Sequence, residues 1–235
     1  MFDAREGERQ MSTDRKYTVK PVRLPEDMED MPYGRYWLAE AREEEQDVER
    51  VRFRDEDLTS ADLHGMTFDC AVFDHCRMER ADLQKCTFRN VLFQDCMLAG
   101  ARLSGCWISQ CAFRDCQMKG ADLSESSIAN LTVENSSLTY ANFTSAKLKQ
   151  CILDHSDFTE CFFASCGLKQ IQMEDCRFIA TDFFRTPLKD LDFTTCTLEG
   201  ISVSDGGSEL QGAVVNLYQA AELARLLGVI VKDVF

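Results

Sequence analysis

Ala81-Asp82-Leu83-Gln84-Lys85-Cys86-Thr87-Phe88-Arg89-Asn90-Val91-Leu92-Phe93-Gln94-Asp95-Cys96-Met97-Leu98-Ala99-Gly100 is one full period of this chain. Within it Leu83, Phe88, Phe93 and Leu98 stand five residues apart. A small apolar residue (Ala81, Cys86, Val91, Cys96) precedes each by two, and the position two residues after each is rich in turn formers (Asn90, Asp95, Gly100). Working outward in both directions, the same phase holds from Phe53 to Val203, 31 consecutive large apolar residues without a slip. A period of five fits neither a helix, at 3.6, nor an alternating strand, at 2. It fits a short straight side followed by a corner. A second period fixes how many sides close a turn. Ala61-Asp62-Leu63, Ala81-Asp82-Leu83, Ala101-Arg102-Leu103, Ala121-Asp122-Leu123 and Ala141-Asn142-Phe143 recur every twenty residues, as do Phe53, Phe73, Phe93 and Phe113. Twenty divided by five gives four sides, so like residues stack in columns about 4.8 Å apart along a coil joined by backbone hydrogen bonds.

The pattern resembles the A(D/N)LXX signature of the pentapeptide-repeat family from about Val51 to Val203. That resemblance implies an all-β solenoid, a right-handed quadrilateral β-helix, here of about eight coils and roughly 40 Å long. The expected inward plugs are Phe53, Phe73, Phe93, Phe113, Leu63, Leu83, Leu103 and Leu123.

Composition narrows the function. The 235 residues carry 26 Lys+Arg against 40 Asp+Glu, a formal net charge of −14. With no Lys/Arg cluster, direct nucleic-acid binding is not expected, and a basic partner is. The most apolar stretch, Leu217 to Val231, is broken by Gln219, Glu222 and Arg225, and Met1 to Gln10 is charged, so neither a membrane span nor a signal peptide is expected. Twelve cysteines are too few for a disulfide scaffold of this length, and a reducing cytoplasm is the expected location. Eleven of them fall on the inward small-residue position, where a thiol acts as a small hydrophobe. Cys70 alone falls on a corner and is expected to be the most reactive.

No C-x₂-C or HExxH spacing, phosphate-binding glycine loop or Ser/His/Asp constellation is present, so no metal, cofactor or catalytic residue is assigned and no enzymatic activity is expected. His75 and His155 share a column but lie four coils apart. The acids are different, because the repeat stacks them. Asp62, Asp82, Asp122 and Asp182 form one column, and Asp55, Asp95, Asp115 and Asp175 another; residues 51–204 hold 22 acids and 15 bases. These columns are the candidate partner-binding residues, against the reading that they only keep a long rod soluble.

The chain divides into a polar extension (1–50), the repeat (51–204) and a C-terminal cap (205–235). In the extension a loop around Pro21, Pro25 and Pro32 precedes a short helix from about Tyr36 to Val48, with Tyr36, Trp37 or Leu38 expected against the first coil. Asp205-Gly206-Gly207-Ser208 shifts the register by two before Leu210 and Val215. Asn216 reads as the N-cap of a helix from Leu217 to Leu227, Gly228 as its stop, and Val229-Ile230-Val231 as a closing strand. The helix residues Leu217, Tyr218, Ala221, Leu223, Ala224, Leu226 and Leu227 have apolar surface to spare beyond sealing the last coil, so they are assigned to capping and dimerisation. Leu210-Gln211-Gly212, Tyr218-Gln219-Ala220 and Leu226-Leu227-Gly228-Val229 look like the C-terminal end of the quinolone-resistance (Qnr-type) members. That resemblance implies a homodimer joined at these ends, a rod mimicking B-form DNA, and DNA gyrase or topoisomerase IV as partner. Projecting loops of several Qnr-type members have no counterpart in an unbroken register. A non-enzymatic scaffold docking some other protein is the alternative.

Overall fold

The computed structural model describes residues 17–232. It is a β-solenoid of about nine turns with a C-terminal helix, one turn more than the repeat count suggests. Every ladder within the repeat is parallel and offset by twenty. Phe53 pairs with Phe73, Phe73 with Phe93, Phe93 with Phe113 and Phe113 with Val133, while Phe68, Phe88, Ile108 and Ile128 form a second column. Midway along, two sides merge across a corner into eight-residue strands, Trp107–Arg114, Ser127–Glu134, Lys147–Asp154 and Gly167–Glu174.

The hollow is filled by the plugs. Phe53, Phe73, Phe93, Phe113, Leu63, Leu83, Leu103 and Leu123 are all buried, and the four phenylalanine rings stack with centroids 5.1, 5.0 and 4.7 Å apart. The smaller inward residues do more than fill space. The thiols of Cys76, Cys86, Cys96, Cys106 and Cys116 donate to the carbonyls of Phe53, Leu63, Phe73, Leu83 and Phe93 in the preceding coil, and the hydroxyls of Ser126 and Thr181 do the same to Leu103 and Phe158. Cys, Ser and Thr interchange there because each pairs a small body with a donor.

At every fifth position from Arg50 to Asp190 the backbone is left-handed, with φ between +45° and +75°. Most of these residues are not glycine. The strain is offset by the next coil, since the corner N–H of Asp55, Cys70, His75 and Asn90 donates to the carbonyl of Asp74, Arg89, Gln94 and Ser109.

Both ends differ from expectation. The first helix, α1 (Gly34–Glu43), stops five residues short of Val48, because Val48–Glu49 already pairs with Phe68–Asp69 as the first rung and Val48 is wholly buried. Val48 is thus the unnoticed plug preceding Phe53. Gly34 brings α1 close, since a Cβ there would sit 2.6 Å from Phe53 Cδ1. Leu38 is buried and the Trp37 ring lies 5.9 Å from Phe53, whereas Tyr36 faces solvent. The proline-rich loop contains a rung of its own, Glu29–Asp30, which pairs with Val51–Arg52 and covers that edge. Upstream, residues 17–23 run lengthwise along one corner. The Asn130 side chain accepts from Lys20 N, and Gln150 and Gln172 donate to the carbonyls of Thr18 and Tyr17. Residues 1–16 of the polar lead lie outside the described residues.

At the other end the two-residue shift is present. Asp190 N and Phe193 N donate to the carbonyls of Gly212 and Val214, an offset of 22 or 21 rather than 19, and a short 3-10 turn, Ser208–Leu210, takes up the excess. Glu209 fastens this turn. Its buried Oε1 accepts from Arg185 N (2.8 Å), Ser204 N (3.1 Å) and the Ser204 hydroxyl. Desolvation opposes the charge, but those bonds outweigh it and hold the carboxyl down to about 2. Helix α2 (Leu217–Leu226) starts from Asn216 in a full capping box with Gln219, whose amide also donates to the carbonyls of Phe193 and Cys196 and so closes the last coil. The expected strand at Val229–Val231 does not form. The chain instead leaves the helix through a turn in which Gly228 N and Val229 N donate to the carbonyls of Arg225 and Ala224, and Val229 and Ile230 stay exposed.

Candidate interaction surface

Corners and strand alternation give the rod four outer sides, each bearing residues from one pentapeptide in four. The column Asp62, Asp82, Arg102, Asp122, Asn142, Phe162, Asp182 is stacked rung on rung. Its acids, however, are largely occupied. Asp62, Asp82, Asp122 and Asp182 each accept the N–H two residues on, at His64, Gln84, Ser124 and Phe184. This is an Asx turn, which explains why the repeat prefers Asp or Asn there. Asp62 also pairs with Arg42 (2.9 Å) and Asp82 with Arg102 (2.7 Å).

The second column, Asp55, Asp95, Asp115 and Asp175, occupies left-handed corners. These residues belong to a side made of residues 51–55, 71–75 and so on to 191–195, and the charge concentrates there. Asp55, Asp74, Asp95, Asp115, Glu134, Asp154, Glu174, Asp175 and Asp192 face three arginines, Arg52, Arg54 and Arg114. Asp74, Glu134, Asp154, Glu174 and Asp192 are not in either predicted column. Summing charge side by side at the twenty-residue period would have found them; following single columns did not. The side formed by residues 66–70 and its repeats to 186–190 is the opposite case, with Arg89, Lys147, Lys149, Lys169 and Lys189 against Asp69 and Asp190.

Two imidazoles sit within the acidic side. His75 Nδ1 lies 2.7 Å from Asp74 and its Nε2 3.9 Å from Asp95; His155 stands 2.6 Å from Asp154 and 3.4 Å from Asp175. The hydrogen bond to the preceding aspartate raises both histidines above their ordinary 6.5 against the opposing effect of burial, and further carboxylates nearby add to the rise. Asp74, His75 and Asp95 bring three ligand atoms within 4.8 Å, a donor set that could hold a divalent cation, at the surface and with Nδ1 already committed to Asp74.

All twelve cysteines are free, and only Cys70 is not buried. Burial pushes Cys111, Cys151 and Cys161 up to about 12. Burial raises Cys70 too, helped by its bond to Asp69.

On α2, Leu217 and Tyr218 are more than 80% exposed, and Leu226 and Leu227 are nearly half exposed, with Val229 and Ile230 beside them. Ala221, Leu223 and Ala224 are half-buried, Leu223 against the core. The rod therefore ends in an apolar knob. No helix among the described residues is long and apolar enough to cross a membrane.

No curated protein matches the sequence. Among solved structures, a trypsin-treated variant of QnrB1, a plasmid-mediated fluoroquinolone resistance protein, is 23% identical over 80% of this chain and 91% of its own, with a TM-score of 0.33. HetL, a pentapeptide-repeat protein involved in heterocyst differentiation regulation in the cyanobacterium Nostoc sp. strain PCC 7120, is 15% identical over 73% and 86%, with a TM-score of 0.38. A pentapeptide-repeat protein of the Arabidopsis thaliana thylakoid lumen is 19% identical over 59% and 76%, with a TM-score of 0.30. Family models are more direct: residues 67–143 match the pentapeptide repeat region and residues 136–170 the eight-copy pentapeptide repeats. With a five-residue plug spacing, twenty-residue rungs and both matches inside the solenoid, residues 67–170 are pentapeptide repeats, and it is the pentapeptide-repeat family that this chain matches.

Proposed function

We propose that this protein is a binding rod whose acidic side occupies the basic DNA groove of DNA gyrase or topoisomerase IV, and that it acts as a homodimer joined through the apolar C-terminal knob. The observation that carries the reading is the concentration of nine carboxylates against three arginines on one side of a stiff rod. Such a surface complements lysines and arginines that normally meet phosphates, and the attraction is steep in ionic strength. The knob supports the dimer, since Leu217 and Tyr218 lie in water on a monomer and a two-fold contact would cover both copies. Recognition is then by binding alone, with no cofactor and no catalytic step.

The test is a gyrase supercoiling assay over a range of salt, with and without a quinolone. Altered supercoiling or altered quinolone inhibition at low salt, fading as salt rises, is expected. Replacing Asp55, Asp115 and Asp175, the exposed corner acids of that side, by asparagine should weaken the effect about tenfold, and the same change at Asp62, Asp82 and Asp122 much less, because those acids serve turns. No effect on supercoiling or on quinolone inhibition at micromolar protein overturns the reading. The alternative, a scaffold docking another protein, draws on a different observation: the rod is not uniformly acidic, and a side with five cations would repel a basic groove.

A further inference from the structure

Over the first half of the rod several arginines are matched to acids one coil away. Arg54 faces Asp74 (3.2 Å), Arg89 faces Asp69 (3.3 Å), Arg102 faces Asp82 (2.7 Å) and Arg114 faces Glu134 (3.1 Å). Opposite charges across neighbouring strands stabilise a sheet and like charges destabilise it. The acidic side breaks that rule where Asp154 opposes Glu134 and Glu174, with His155 beside it, and the basic side breaks it with no counter-charge paired to it. Lys149 and Lys169 are directly opposed on adjacent strands, and Lys189 follows at the same interval. Among the described residues none of the three takes part in an ion pair, in a chain with fourteen surplus acids. Stacking of this kind without a counter-charge weakens the fold, and here it coincides with a crevice.

The same three lysines line an open crevice of about 420 Å³. Tyr17 lines it too, and its carbonyl accepts from Gln172 Nε2 at 2.7 Å, so the N-terminal strap holds that residue beside the ladder. Its floor includes Leu168, which is only half-buried while the plugs above and below it, Leu148 and Leu188, are buried. Among the described residues Asp190 is the only carboxylate lining the crevice.

We propose that this crevice binds a compact anion of linked phosphates, the three ammonium groups spanning its phosphates and, in a nucleotide, the ring lying against Tyr17 and Leu168. Three point charges on flexible stems across two rung spacings, about 10 Å, are more than one carboxylate or single phosphate can bridge. An aromatic ring beside an apolar floor suits the flat face of a base.

Calorimetric titration of the full chain at about 50 mM salt tests this, with tripolyphosphate, orthophosphate and ATP as probes in magnesium-free buffer. Tripolyphosphate should bind saturably, one per chain, and raise the melting temperature, with orthophosphate at least about tenfold weaker. Lys169→Gln should weaken tripolyphosphate by about tenfold, yet melt no lower than the parent without ligand, since it removes repulsion. That second readout separates loss of the site from loss of the fold. Tyr17→Ala should lower ATP affinity to that of tripolyphosphate and leave tripolyphosphate unchanged. Absence of saturable tripolyphosphate binding up to about 5 mM, or undiminished binding after Lys149, Lys169 and Lys189 all become Gln, overturns the site. ATP binding no tighter than tripolyphosphate overturns the place given to the ring.

Discussion

Gly120 sits at a corner with φ +65°, and nothing lies within 4 Å of where its Cβ would be. Any penalty for a side chain there is therefore backbone strain and not a clash. Neighbouring coils carry Tyr140 and Glu160 at equivalent corners in the same left-handed region, so the strain is tolerable when the rung's hydrogen bond is made. Gly120→Val, β-branched, should cost about 1–2 kcal/mol, and Gly120→Asn much less, because asparagine visits this region more readily. Chemical denaturation of both variants decides it; equal losses would mean that volume, not φ, sets the cost. The same logic explains why the repeat's fifth position is written loosely as turn formers, while the Asp of its second position has a definite task in accepting the N–H two residues on.

The caps close the coil at its two ends by different means. α1 lies over Phe53 through Leu38 and Trp37, while the C-terminal unit is bolted by buried polar groups, Gln219 on the last carbonyls and Glu209 under the 3-10 turn. Glu209 has a folded value of about 2 against an ordinary 4.5. A depressed carboxyl contributes stability that is complete above its unfolded value and lost as pH falls through the folded one, so the window runs from about 4.5 down to about 2. Glu209→Gln should cost about 1–3 kcal/mol at neutral pH and flatten the acid limb of the stability curve in that window. Denaturant melts at several pH values measure both, and an unchanged acid limb would show that other carboxyls govern it.

For the whole molecule the decisive quantity is how charge is shared among four sides. His75 and His155 make the acidic side adjustable, being raised above 6.5 by Asp74 and Asp154 and by the further acids around them. A raised histidine stabilises the fold below its unfolded value and ceases to do so as pH rises through the folded one. Binding to a basic partner has the opposite sense. Lowering pH through those values adds two cations to the acidic side, so affinity should fall, and it should be fullest when both rings are neutral. NMR titration should place both rings above 6.5 and bring them down in Asp74→Asn and Asp154→Asn; unmoved values would detach the rings from these carboxylates.

The sequence by itself determined the solenoid, because a plug every five residues and a match every twenty have no other compact solution: each rung buries the one before it. It also determined the inward cysteines, the two-residue shift before Leu210 and the N-cap at Asn216, all of them local in the chain. Only the tertiary structure decided how each acid is used, since Asp82 is spent on a turn and on Arg102, while Asp74 and Glu134 gather on another side against Arg54 and Arg114. It likewise decided that Val48 is the first rung rather than the end of a helix, and that Tyr17 meets a lysine ladder more than a hundred residues away. The physical reason is the same in each case. Spacing fixes what repeats along the chain, whereas charge pairing and the placement of the ends depend on which coils lie side by side.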